Sequence, residues 1–401
     1  MHSTKVGVIG TGFIGPAHVE ALRRLPGIEV VALADKGEEL ANAKAGLLGI
    51  PAAYGDYRNL LARPEIEAVH ICTPNTFHYT MAREALLAGK HVVCEKPLAT
   101  TAAEAAELVQ LADRLGLVNA VHFNVRYYPL MRQVKLMAAK GELGRIFSIH
   151  GSYLQDWLYY DTDYNWRLEP AFSGGSRAVA DIGSHWMDLV EYVSGLRIAA
   201  VFADFAIFHE SRKKPLKPIE TYAGKLLAPE DYQAVPISTE DYASVLFRFE
   251  GGARGSLVVS QVSAGRKNRI YFEMDGSRES VEWNSERPNT VWIGRRDGNN
   301  QEMMKDPSLV YPESQQLIGF PGGHQEGFPD TSKQLFKEFY GYLAEHRDPQ
   351  RVSRISGDPG KDVPSFPTFR AGLREIELCD GILESARKGA WIPVQPWTKG
   401  A

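Results

Sequence analysis

The run Val6-Gly7-Val8-Ile9 passes directly into Gly10-Thr11-Gly12-Phe13-Ile14-Gly15, and nothing else in the chain constrains its fold as strongly. The first four residues are continuous, apolar and mostly β-branched, the pattern of a strand buried on both faces. A GxGxxG that closes such a strand and opens a helical stretch has a defined physical reading. Gly10 permits the tight turn, Gly12 lets a diphosphate approach the backbone, and Gly15 lets the helix pack closely on the sheet. The helix then begins with free N–H groups and the positive end of its dipole facing the phosphates, with Phe13 and Ile14 completing the loop.

The alternation continues. Val30 to Ala34, Ala68 to Cys72 and His91 to Cys94 read as further buried strands. Between them, His78 to Ala88 has apolar residues at Met81, Ala82, Ala85 and Leu86 and stops at Gly89, and Ala102 to Leu115 stops at Gly116. Strand and helix alternating at this pace give a doubly wound parallel sheet, expected over residues 1–122. Asp35 follows the second strand, about 20 residues beyond Gly15, where a carboxylate accepts from adenosine ribose hydroxyls and repels a 2′-phosphate. NAD is therefore favoured over NADP, although Lys36 sets a cation beside that carboxylate.

After residue 122 the pattern changes. Arg145 to Gln155 reads as a long strand and Asp181 to Ser194 as a helix stopped by Gly195. Ser244 to Phe249, Arg254 to Val262, Asn268 to Met274, Ser280 to Trp283 and Thr290 to Ile293 follow as strands with glycine-bearing turns, the signature of an antiparallel sheet. Helices are expected near Ser332–His346 and Thr368–Arg387, and loops over Glu210–Glu240 and Arg295–Pro321. The second domain is expected over 123–401.

Composition narrows the class. A chain of 401 residues, 44% hydrophobic and 23% charged, is long enough for two cores. A net charge of −4 without a Lys/Arg run gives no footprint for nucleic acid or a membrane surface. Cys72, Cys94 and Cys379 form no zinc-like spacing and read as buried thiols of a reducing, cytoplasmic compartment. No signal peptide, membrane span or metal site is expected.

Two segments at strand ends point to chemistry: Thr73-Pro74-Asn75-Thr76-Phe77-His78, and Glu95-Lys96-Pro97 after the His91–Cys94 run. Ligands of doubly wound sheets bind at the carboxyl ends of the strands. The proline restricts Lys96 to extended geometry, and a lysine fixed there stabilises an alkoxide or relays its proton. With the glycine loop, these motifs resemble the glucose–fructose oxidoreductase/inositol dehydrogenase (Gfo/Idh/MocA) family over essentially the whole chain, most specifically at Val6–Leu98 and Tyr164–Gly195. The resemblance implies a Rossmann domain followed by an open-faced, mostly antiparallel sheet domain flanked by helices. It also implies an NAD-dependent dehydrogenase acting on a secondary hydroxyl of a sugar or cyclic polyol.

The resemblance assigns site residues as well. Asp181 and His185 match an Asp-x-x-x-His element, with His185 as general base and Asp181 orienting it or binding a substrate hydroxyl. At i and i+4 both lie on one face of a helix, with Asp181 also placed as a cap or first-turn acid. Lys96 completes the catalytic set. Trp166 and Arg167, in Tyr164-Asn165-Trp166-Arg167, are expected near the nicotinamide. Thr73, Asn75, His78, Glu95 and Asn124 are expected to line the cofactor, and Arg126, Tyr153, Trp157 and His324 the substrate. A homodimer or homotetramer through the open sheet is implied. A keto-sugar reductase, an enzyme that retains its NAD, and a non-enzymatic sugar or cofactor sensor remain open on the same scaffold.

Overall fold

The computed structural model describes residues 3–216, 228–346 and 364–395. The chain divides into two compact units: Met1–Asn124 with Phe328–Leu373, and Val125–Gly327 with Arg374–Ala401.

The first unit is a six-stranded parallel sheet in the order β3-β2-β1-β4-β5-β6. Its strands are β1 (Thr4–Ile9), β2 (Ile28–Ala34), β3 (Ala52–Tyr54), β4 (Ala68–Ile71), β5 (His91–Cys94) and β6 (Asn119–Val121). The connecting helices are α1 (Ile14–Arg23), α2 (Glu38–Leu48), α3 (Tyr57–Leu61), α4 (His78–Leu87) and α5 (Ala102–Leu115). Every residue of β4 is buried, as a continuous apolar run between two helical layers requires. Local chemistry sets the helix ends: Thr101 caps α5 by accepting from Glu104 N at 3.2 Å, and Gly116 ends it in the left-handed region at φ 63°. Sequence periodicity does not reveal β3, β6, α2 or α3, because β3 and β6 are three residues long and α3 five.

In the second unit, helices α6 (Met131–Ala139), α7 (Pro170–Ser173), α8 (Ser184–Ser194) and α9 (Pro312–Gln315) accompany strands β7 (Ile146–Leu154), β8 (Ile198–Ala206), β9 (Ser211–Pro215) and β10 (Tyr232–Pro236). The strands continue with β11 (Tyr242–Phe249), β12 (Arg254–Ser260), β13 (Arg269–Gly276), β14 (Glu279–Asn284), β15 (Thr290–Arg295) and β16 (Gln301–Met304). Helices α10 (Phe328–His346) and α11 (Phe369–Lys388) and strand β17 (Ile392–Pro393) end the chain. A nine-stranded sheet runs β16-β15-β14-β13-β7-β12-β11-β8-β17, antiparallel except between β7 and β12. Burial alternates along β11 and β14, so one face of the sheet is covered. Trp186 and Met187 of α8 join Phe247, Phe272 and Trp283 from that face in one core. Full burial of a ring such as Phe272 contributes about 2–3 kcal/mol.

Several expectations are corrected. The stretch expected as a loop over Glu210–Glu240 contains the antiparallel pair β9–β10, while 217–227 lie outside the described residues. Arg295–Pro321 contains β16 and α9. The chain expected as one second domain over 123–401 returns α10 to the first unit. The helix expected from Asp181 begins instead as a π turn, Val179–Gly183, before α8.

Candidate active site

The glycine loop between β1 and α1 has the three properties its spacing predicts. Gly10 sits at φ 90°, and a Cβ there would meet the Cys72 carbonyl at 2.8 Å. A Cβ on Gly15 would lie 2.2 Å from Gly10 O, so only glycine lets α1 approach its own loop. A Cβ on Gly12 meets nothing within 4 Å, which is the open space a pyrophosphate needs against the backbone. Phe13, at the N-cap of α1 and 57% exposed, has no polar side-chain atom to occupy the first-turn N–H groups. Asp35 at the end of β2 ties the loop down: Oδ2 accepts from Thr11 N at 2.8 Å and from the Thr11 hydroxyl, and Oδ1 from Lys36 N at 2.7 Å. A carboxylate has about four lone-pair positions, so Asp35 keeps acceptor capacity for a ribose hydroxyl. The cradle, with its open backbone at Gly12 and the spare acceptor position of Asp35, fits NAD.

The next two strand ends lie beside each other through the β4–β5 pairing. His78, expected at the cofactor, is fully buried, with Nδ1 2.7 Å from Pro97 O and Nε2 2.7 Å from Thr73 O. It fastens the Thr73–Asn75 segment to the segment of Lys96, whose peptide bond to Pro97 is cis. Asn75 is buried in a short 3-10 turn. Asn124 donates to the Thr331 hydroxyl of α10 at 2.7 Å. Glu95 is buried, and its Oε2 accepts from Lys96 N at 3.2 Å. Lys96 itself is half-buried.

In the second unit, the π turn ahead of α8 carries Asp181, and the first turn of α8 carries His185. Such π turns are common at functional sites. Asp181 does not cap α8, whose N-cap is Gly183. Its Oδ2 accepts from Gln261 Nε2 at 3.0 Å and lies 3.2 Å from Arg167 Nε. The Arg167 guanidinium also covers the Trp166 ring at 4.6 Å. The two residues expected beside the nicotinamide therefore form one assembly with Asp181. Gln261, 80 positions along the chain, has no motif to reveal it. Behind it, Arg177 Nη1 donates to Gln261 Oε1 at 3.3 Å and Arg177 Nη2 pairs with Asp241 at 2.5 Å, all of it buried.

His185 is 8% exposed, with the Tyr153 ring centroid 6.2 Å from its own. The Tyr153 hydroxyl and the Gln155 amide both donate to Asn268 Oδ1, at 2.9 and 2.7 Å. Trp157 is half-buried, two residues beyond Gln155. Arg126, expected at the substrate, has its guanidinium fork engaged by Asp188 of α8, with Nε 2.6 Å from Oδ2 and Nη2 on Oδ1. That bidentate pairing makes it a brace of α8. His324 is exposed, on a loop pinned by the buried Lys305, whose ammonium donates to Phe320 O, His324 O and Glu326.

Residues 4–123 match the oxidoreductase family with an NAD-binding Rossmann fold, and residues 131–282 match the GFO/IDH/MocA C-terminal domain. The chain is 30% identical to levoglucosan dehydrogenase of Pseudarthrobacter phenanthrenivorans, over 98% of this chain and 99% of that protein. A solved structure of levoglucosan dehydrogenase in complex with NADH and L-sorbose is 29% identical with TM-score 0.85, covering 99% of this chain and 100% of the other. An inositol dehydrogenase homolog complexed with NAD+ from Azotobacter vinelandii is 26% identical with TM-score 0.84, covering 98% and 97%. Both domain matches agree with the glycine cradle of the parallel sheet and with the antiparallel sheet that follows it, and the chain belongs to the Gfo/Idh/MocA family of NAD-dependent oxidoreductases.

Proposed function

We propose that the chain oxidises a secondary hydroxyl of a sugar or cyclic polyol, with an anhydrosugar, an inositol or an aldose as substrate, using Lys96, Asp181 and His185 as its proton-transfer set. The observation that carries this reading is the end of β5, where a buried Glu95 and the following proline set Lys96 at the carboxyl edge of the sheet that bears the glycine cradle. NAD, when bound, supplies the acceptor for the carbinol hydride. His185 takes the hydroxyl proton through imidazole, whose ordinary pKa of about 6.5 suits a base at neutral pH. Lys96 donates a hydrogen bond to the oxygen as its negative charge develops. Asp181, held by Gln261 and Arg167, binds a neighbouring hydroxyl and aligns it. The reading is supported by relatives named for levoglucosan and solved with NADH and a sugar.

NADH formation at 340 nm with NAD, against levoglucosan, inositols and aldoses, tests the proposal, with Lys96→Met as control. The expected outcome is turnover with one class that falls by about 10³-fold or more in the variant, while NAD still binds. Turnover at the wild-type rate in Lys96→Met removes Lys96 from the mechanism. Silence across the panel with NAD bound moves the chemistry to the keto-sugar direction or to sensing.

A further inference from the structure

The first unit contains a cluster of titratable side chains to which the proposed mechanism gives no proton-transfer role. His18 lies on α1, one turn beyond the glycine loop, His70 on β4, Glu95 just past β5 and His122 just past β6. All four are buried, His18 and His70 completely. Glu95 Oε1 lies 3.0 Å from His18 Nε2 and 2.6 Å from His122 Nδ1. His18 Nδ1 lies 2.9 Å from His70 Nδ1, and His70 Nε2 lies 2.8 Å from the Tyr340 hydroxyl on α10. His122 Nε2 meets the Ser332 hydroxyl at 3.0 Å, and the Phe336 ring packs against all three imidazoles.

Proton accounting gives this cluster a direction. Burial alone would push the Glu95 carboxyl up, but the imidazoles of His122 and His18 outweigh it and hold the group well below the usual carboxylate range. An ionised carboxylate only accepts. His18 must then donate from Nε2 to Glu95. Burial and the neighbouring His122 push His18 down to about 4, so the ring is neutral and its Nδ1 must accept. His70 donates to it from Nδ1, which leaves His70 Nε2 to accept from Tyr340. Each donor along the line Tyr340, His70, His18 points toward Glu95, and His122 approaches the same oxygen from β6. The second oxygen, Oε2, accepts from the backbone N–H of Lys96.

We propose that Glu95 is a positioning residue for Lys96, and that the hydrogen-bonded line from Tyr340 through His70 and His18, with His122, fixes the orientation of its carboxylate. The proposal rests on the reading of Lys96 given above. Glu95 Oε2 accepts from the Lys96 N–H at 3.2 Å, so anchoring the carboxylate also anchors the backbone that presents Lys96. The line also joins α1, which follows the cofactor loop, to the strand end that bears Lys96. Two imidazoles and a carboxylate with donor atoms within 4.8 Å are a set that a divalent ion can take. Here Oε1 already stands at hydrogen-bond distance from both nitrogens, and the remaining nitrogens are engaged on their far sides, which favours the proton-ordered line.

Replacement of Glu95 by Gln tests this with little change of shape. The amide oxygen can face the two imidazoles, but its NH2 then meets the Lys96 N–H, donor against donor. Turned the other way, the NH2 meets two imidazole N–H groups. Glu95→Gln is expected to lower kcat about tenfold or more, while KM and the NAD dissociation constant stay within about threefold. Unchanged kcat with a lowered Tm would show a merely structural role and overturn the proposal.

Tyr340→Phe removes one hydroxyl and keeps the assay open if Glu95→Gln does not fold. It is expected to lower kcat severalfold, because His70 Nε2 loses its donor and the line its outer anchor. Wild-type kcat in Tyr340→Phe overturns the proposal. Long-range 1H–15N NMR of histidine-labelled wild-type protein reads the line directly, with His18 expected as the Nε2–H tautomer and His70 as the Nδ1–H tautomer. The opposite tautomers, or stoichiometric zinc in the purified protein, overturn it too. If Lys96→Met is inactive while Glu95→Gln turns over normally, only this inference falls. If Lys96→Met is active, the reading of Lys96 falls first.

Discussion

A methyl group added at Gly12 and one added at Gly15 meet opposite surroundings, although both glycines belong to one motif. At Gly12 the new Cβ touches nothing, so Gly12→Ala is expected to leave stability within about 0.5 kcal/mol of wild type. It fills the space reserved for a pyrophosphate and is expected to weaken NAD binding about tenfold or more. At Gly15 the Cβ collides with Gly10 O, so Gly15→Ala is expected to cost about 1–3 kcal/mol and to lose the cofactor as well. Thermal unfolding and fluorescence titration with NADH separate the two effects. Wild-type affinity in Gly12→Ala would mean that the cofactor takes another path. The glycine loop and its tie to Asp35 were legible because their geometry is local, a strand, a turn and a helix start within 35 positions. Gln261 was not, because its contact with Asp181 spans 80 positions and depends on where β12 ends. Arg126 read as a cleft residue for the same reason: nothing in its neighbourhood announces Asp188, 62 positions away.

Elements are joined in the first unit by groups whose protonation matters to stability. The imidazole of His18 on α1 is held neutral down to about pH 4, against 6.5 when exposed. Between these values the unfolded chain binds a proton that the folded chain does not, so the derivative of unfolding free energy with pH is positive and stability falls on acidification. At about 1.4 kcal/mol per pH unit the difference is about 3 kcal/mol, developed as pH drops from 6.5 toward 4. His70, pushed well below its usual value by burial, acts in the same sense. Glu95 is depressed as well, and its contribution, present above the unfolded carboxyl value, is lost as pH falls through its lower folded value. The Tm of the wild-type protein is therefore expected to drop by about 5 °C or more from pH 7 to pH 5. His18→Gln is expected to flatten that slope, because an amide does not titrate. A Tm independent of pH across this window would contradict the neutral assignment of His18. Sequence periodicity reveals β4 and β5 but not β6, and gives no reason to single out His18 or His70. A histidine inside an apolar run reads as core filling until its partners from other strands are known. The π turn before α8 was hidden likewise, since Asp181 to Ser194 satisfies an unbroken helical pattern equally well.

At the scale of the whole molecule, the nine-stranded sheet raises the question of what meets the face opposite α8. The registers place Phe202 opposite Leu246 on adjacent strands of that face, with Leu246 45% exposed, and Ser256 on the other side of Leu246. Glu273, Asp275 and Glu282 line up on β13 and β14, while Arg248 and Arg254 stand on β11 and β12. The acidic row on β13 and β14 and the basic row on β11 and β12 stand on either side of β7, with the apolar strip of Phe202 and Leu246 beside the basic row; the charged rows are self-complementary about a two-fold axis, since rotating a second copy sets each row against its opposite. We expect the protein to associate through this face as a homodimer, or as a homotetramer if a second contact is made. Leu246→Glu places a charge in the strip, and Arg248→Glu makes the basic row repel the acidic row of a second copy. Either variant is expected to shift sedimentation toward the monomer while leaving the covered core intact, because both side chains point away from Phe247 and Val245. For Arg248→Glu the shift is expected to deepen at low ionic strength, where like charges are least screened. A wild-type protein that sediments as a monomer of 44.5 kDa at micromolar concentration would leave this face to solvent and reject the assembly.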